Sequence, residues 1–138
     1  MVQIDELIEK LNDEQILPVL QTEGAVLVLA GAGSGKTRVL TSRIAYLVEE
    51  KNVPPQAILA ITFTNKAAAE MRERVAALVG PRALSMWVST FHSSCVRILR
   101  AQASLLPGMN SNFTIYDADD SRRLLTMIAK DLELDIKK

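Results

Sequence analysis

Gly31, Gly33 and Gly35, followed at once by Lys36 and Thr37, are residues whose types and spacing imply chemistry directly. Alternate glycines let a backbone take unusual dihedrals and approach a ligand closely. Successive N–H groups then turn into one concavity, and the positive end of the next helix adds to it. A lysine closing such a loop can reach the β- and γ-phosphates of a nucleotide, and a hydroxyl beside it can ligate Mg²⁺. The segment Ala30–Thr37 is therefore read as a phosphate-binding loop. Ala32, Gly33, Ser34 and Gly35 would wrap the phosphates, and Lys36 and Thr37 would carry the chemistry. Ala30 stands where the general pattern has Gly. That position closes a strand, so a small residue suffices. The plain alternative is an ordinary glycine-rich turn.

Such a loop needs a strand before it and a helix after it. Residues 25–30 are apolar or small and predict a buried strand. Leu40, Ile44, Leu47 and Val48 fall at i, i+4, i+7 and i+8, which predicts an amphipathic helix from about Gly35 to Glu50. Before the loop, residues 1–11 read as a short helix, and Asn12 with Gln15 three residues on forms a capping-box pattern. Pro18 predicts a kink or a short helix there. The run 57–63 predicts a parallel strand covered on both faces. Thr64 or Asn65 would cap a helix ended by Gly80-Pro81, with Ala67, Ala68, Met71, Val75, Leu78 and Val79 facing inward. Residues 85–89 predict a third strand. His92, Cys95, Val96, Leu99, Ala103 and Leu106 would stripe the helix after it, which Pro107-Gly108 breaks. Residues 113–116 suggest a brief extended segment, and Asp117 would cap a last helix carrying Leu124, Leu125, Ile128 and Leu132. Alternating strands and helices predict an α/β fold with a parallel sheet. Ligands would sit beyond the carboxyl ends of its strands, so loops 31–37, 62–66 and 89–92 should share one edge.

The 138 residues allow one domain with a real core, and 49% hydrophobic content fits a globular class. Lys+Arg and Asp+Glu are equal at 16 each, so a nucleic-acid partner would need a local basic patch, not bulk charge. The single cysteine, Cys95, excludes an internal disulfide and is expected to be a buried small hydrophobe in a reducing cytoplasm. Acidic residues interrupt the N-terminus where a signal peptide would be apolar. No apolar run approaches the ~18 residues of a membrane span.

Four blocks together resemble the N-terminal end of superfamily 1A DNA helicases, the UvrD/PcrA/Rep group. Leu11-Asn12-Asp13-Glu14-Gln15 is similar to their Q motif, and Ala30–Thr37 to their motif I, continued by Arg38-Val39-Leu40-Thr41. Residues 58–75, centred on Thr62-Phe63-Thr64-Asn65-Lys66-Ala67-Ala68, resemble motif Ia. Met86-Trp87-Val88-Ser89-Thr90-Phe91-His92-Ser93 resembles the next DNA-contacting motif. The recombination subunits AddA and RecB share these blocks, but their loop tends to begin Ala-Ser-Ala-Gly, unlike Ala30-Gly31-Ala32-Gly33.

The resemblance implies a RecA-like P-loop NTPase sheet, with ATP and Mg²⁺ as cofactors and single-stranded DNA and its junctions with duplex as partners. Gln15 would read adenine, since an amide donates and accepts at once; otherwise it is simply a cap. Arg38 would lie near the base or ribose, or be a solvated helix arginine. Phe63 would stack on a single-stranded base, or close the core at a strand end. Thr64, Asn65, Thr90 and His92 would hydrogen-bond the sugar–phosphate backbone, with a structural role the alternative for the lone His92. Trp87 reads as core. By the same resemblance, 1–90 would belong to the RecA-like domain 1A and 91–138 would begin the inserted helical subdomain 1B. An apolar strand ending in Asp-Glu, the arginine fingers and the second motor domain are absent from this sequence. It is therefore expected to be a piece of a longer helicase that translocates 3′ to 5′. Other P-loop enzymes compete with this reading. Asn65-Lys66 suggests the guanine-reading Asn-Lys-x-Asp, but Ala68 stands where Asp is needed. A non-catalytic binding module is the third alternative.

Overall fold

The computed structural model describes residues 4–134. Its contacts divide the chain into two compact units, one running to Cys95 and the other starting at Val96. The ends of the expected first and last segments, residues 1–3 and 135–138, lie outside the described residues.

In the first unit, α1 (Ile4–Ile8) is followed by α2 (Asp13–Leu20), capped as its sequence predicts. The Asn12 side chain accepts the Gln15 N–H at 2.9 Å, and Gln15 Oε1 accepts the Asn12 N–H at 3.2 Å. Pro18 lies inside this short helix. Just beyond it the Arg43 guanidinium donates to the Pro18 and Gln21 carbonyls, which α2 leaves without helical partners. Arg43 belongs to α3 (Lys36–Glu49), so the same contact docks α2 on α3. Leu11, Val19 and Val39 form the small apolar cluster beneath.

The sheet among the described residues has two strands, β1 (Leu59–Thr62) and β2 (Trp87–Thr90). They are parallel, in register from Leu59 beside Trp87 to Thr62 beside Thr90. The crossover is α4 (Asn65–Val79), whose cap Thr64 accepts the Ala67 N–H at 3.1 Å. Gly80, at φ +72°, ends it. Ala68, Met71, Val75 and Val79 of α4 pack in the main core with Ile44 and Val48 of α3 and Val88 of β2. An Arg82–Glu49 ion pair ties the turn after α4 to α3.

Several expectations are corrected. Residues 25–30 join no sheet among the described residues, because no neighbouring strand pairs their backbone. They keep a strand-like alternation. Val26 and Val28, 39% and 45% exposed, line a hollow of about 300 Å³ with Pro18, Val39, Leu40 and the cations Lys36 and Arg43. Leu27 and Leu29 face solvent, 83% and 87% exposed. For the same lack of neighbours β1 is not covered on both faces, and Leu59 is exposed. The helix α5 (Phe91–Ala101) buries Ser94, while His92 and Cys95 are exposed. Residues 113–116 form no strand.

In the second unit, Asp117 caps α6 (Ala118–Asp131) through the Asp119 and Asp120 N–H groups, both at 2.8 Å. The helix forms as predicted, but none of its residues is buried. The Arg100 guanidinium lies over the Phe113 ring, 5.6 Å from its centre.

Candidate functional site

The glycine loop meets helix α3 through two left-handed residues, Gly33 at φ +76° and Gly35 at φ +84°. Gly35 is the helix cap, so the first N–H groups of α3 lack helical acceptors. Ser34 steadies the turn, its hydroxyl donating to the Gly31 carbonyl at 2.7 Å. The Lys36 ammonium donates to the carbonyls of Ala30, at 3.1 Å, and of Gly31.

Packing of α2 on α3 brings Gln15 against this loop. Its Nε2 donates to the Ser34 carbonyl at 3.1 Å, and a Cβ on Gly35 would come within 2.7 Å of that same nitrogen. Gln15 is thus both the third residue of α2, completing the capping box with Asn12, and a wall of the loop. One amide N–H and one carbonyl lone pair remain for a ligand.

A cleft of about 730 Å³ opens here, lined by Asn12, Gln15, residues 33–38 and Arg74. Three cations, Lys36, Arg38 and Arg74, line it, and among the described residues no carboxylate does. Arg38 also reaches the Lys10 carbonyl, at 3.5 Å. Arg74 was missed by sequence reasoning. It precedes the buried Val75 on α4, on the flank of the inward stripe, and that position beside the stripe was the available signal. Ala32 is exposed and outside the cleft lining. Thr37 lines the cleft, and a single hydroxyl suits Mg²⁺, which keeps most of its ligands as water and phosphate oxygens. Among the described residues no group of three or more His, Cys, Asp or Glu could hold a metal by itself.

The second group of expected residues gathers at the carboxyl ends of β1 and β2, because Thr62 and Thr90 are register partners. None of them lines the glycine-loop cleft. Phe63 is 92% exposed, so core packing does not hold it. Asn65, His92 and Phe91, the last of these unanticipated, are also exposed. The Thr64 hydroxyl caps α4. Thr90 is buried, with its hydroxyl donating to Ser93 Oγ at 3.0 Å and accepting the Ser93 N–H at 3.3 Å. Trp87 is half-buried in β2.

A parallel strand pair crossed over by a helix, beside a helix-opening glycine loop with a lysine and a hydroxyl at its end, defines an α/β protein with a phosphate-loop motif. More particularly, the chain belongs to the UvrD/REP helicase N-terminal domain family, whose profile matches residues 11–138. It is 64% identical over 134 residues to the ATP-dependent DNA helicase UvrD1 of Mycobacterium tuberculosis, covering 97% of this chain and 17% of that protein. The protein of the same name from Mycobacterium leprae is 62% identical over 137 residues, with 99% and 18% covered. The ATP-dependent DNA helicase PcrA of Staphylococcus aureus is 55% identical over 132 residues, with 96% and 18% covered. The chain therefore spans less than a fifth of the length of these relatives.

Proposed function

We propose that this chain is the ATP-binding part of an ATP-dependent DNA helicase acting in cytoplasmic DNA replication, repair or recombination. In this reading residues 1–90 belong to a RecA-like motor domain and 91–138 begin a helical insertion. The observation that carries the proposal is the Gln15 amide held against the phosphate loop, with its Nε2 on the Ser34 carbonyl. An amide fixed there can recognise adenine by one donated and one accepted hydrogen bond, while the loop holds the phosphates.

On nucleotide binding Lys36 would exchange the Ala30 and Gly31 carbonyls for β- and γ-phosphate oxygens. The exchange is favourable because a charge-assisted bond to phosphate replaces one to a neutral acceptor. Thr37 would hold Mg²⁺, whose role when bound is to neutralise charge building on the phosphates. Arg38 and Arg74 would add positive potential near the base and ribose. Phe63 would stack on a base of single-stranded DNA, and Asn65 and His92 would bond its backbone at the strand-to-duplex junction. Translocation 3′ to 5′ would need the remaining helicase domains. Calorimetry with ATP–Mg²⁺ and GTP–Mg²⁺ tests the reading. ATP is expected to bind more tightly, and Gln15→Ala to erase the preference. Equal affinity of the unaltered chain for both nucleotides would overturn the role of Gln15.

A further inference from the structure

We infer that two hydroxyl pairs, Ser89–Ser94 and Thr90–Ser93, clasp the elbow between β2 and α5 and so position the residues that meet DNA; the inference rests on the nucleic-acid reading of that elbow. Strand β2 ends at Thr90 and α5 starts at Phe91, with no linker between them. The change of direction must therefore be held by side chains. Ser89 Oγ and Ser94 Oγ lie 2.6 Å apart, and Thr90 Oγ1 donates to Ser93 Oγ at 3.0 Å. Each pair has one buried member, Ser94 at 2% exposure and Thr90 at 7%, set against a half-buried Ser89 and an exposed Ser93, so it is Ser94 and Thr90 that are shielded from water. There a hydroxyl bond strengthens, and a hydroxyl deprived of its partner is costly.

The clasped positions, 89–90 and 93–94, bracket Phe91 and His92, which are exposed. Any rotation of the first turn of α5 against β2 would break both pairs. Thr90, Ser93, Ser89 and Ser94 are thus positioning residues, and Thr90 acts through the elbow instead of on the DNA. A hydroxyl pair explains this better than apolar packing, because its geometry is directional where packing is not.

The test uses the 138-residue chain, fluorescein-labelled oligothymidylate read by anisotropy, thermal melting, and calorimetry with ATP–Mg²⁺. Ser89→Ala leaves the Ser94 hydroxyl buried without its partner. It should lower the melting temperature and weaken oligothymidylate binding roughly 3–10-fold. Ser89→Ala with Ser94→Ala removes both members of the pair. Stability should then return toward that of the unaltered chain, since no orphan remains, while the DNA loss persists and ATP affinity is unchanged. Recovery of DNA affinity together with stability in the double variant would overturn the clasp, as would a folded Ser89→Ala chain of normal DNA affinity. Phe63→Ala run in parallel separates the two ideas. A loss there with none in the clasp variants overturns the clasp alone. An unaltered chain that does not bind oligothymidylate overturns both.

Discussion

At Gly35 two separate demands fall on one atom that is missing. The backbone there is left-handed, and the space where a Cβ would stand is taken by the Gln15 amide. Gly35→Ala is therefore expected to lose roughly 1–2 kcal/mol to the dihedral alone, with a further loss from displacing Gln15. Adding Gln15→Ala should recover only the second part, because the dihedral strain is independent of the neighbour. Denaturant melts of the two variants check this, and full recovery in the double variant would mean the backbone is not strained. Lys36→Ala removes a charge-assisted contact to phosphate, so ATP affinity should fall by roughly 1.5–3 kcal/mol in calorimetry. Retained affinity would remove the loop from the nucleotide site.

Among elements, those set by neighbours in sequence were legible. The Asn12–Gln15 box, the Thr64 cap and the Asp117 cap each satisfy N–H groups two or three residues away, so short patterns suffice to find them. Periodicity located α3 and α4 for the same reason. Features set by distant partners were not legible. Residues 25–30 have the composition of a strand, yet pairing depends on a neighbour the composition does not name. The burial of Ser94 with exposure of His92 and Cys95 runs against hydropathy, because Ser89 satisfies that serine from another element. The exposure of Phe63 and the presence of Arg74 in the cleft likewise follow from how α4 lies against its neighbours. Asn12→Ala should cost about 0.5–2 kcal/mol of stability by loss of its cap, measurable as a lowered melting temperature. Phe63→Ala, at the exit of β1, should weaken oligothymidylate binding by roughly 1–3 kcal/mol irrespective of base sequence. An unchanged affinity in a folded variant would exclude stacking.

For the molecule as a whole, cradle and catalyst are different things. The cleft supplies Lys36 and Thr37 at a helix start, while among the described residues no carboxylate lines it to hold Mg²⁺ from the other side or to orient water. The 138-residue chain by itself should therefore bind ATP with turnover near background, with or without oligothymidylate, in a phosphate-release assay. DNA-stimulated hydrolysis by this chain, abolished by Lys36→Ala, would show that the carboxylate role is filled by a residue outside the cleft lining.

The alternation at residues 26–29 carries a consequence for the behaviour of the chain in solution. Val26 and Val28 line a hollow while staying partly open, and Leu27 and Leu29 are presented more fully to water. An apolar edge with unpaired backbone is a template for the same edge on another copy. With 16 basic and 16 acidic residues, no net charge keeps copies apart. Light scattering should accordingly rise with concentration near neutral pH. Leu27→Lys with Leu29→Lys should suppress that rise while leaving the melting temperature nearly unchanged, since neither leucine is buried in this chain.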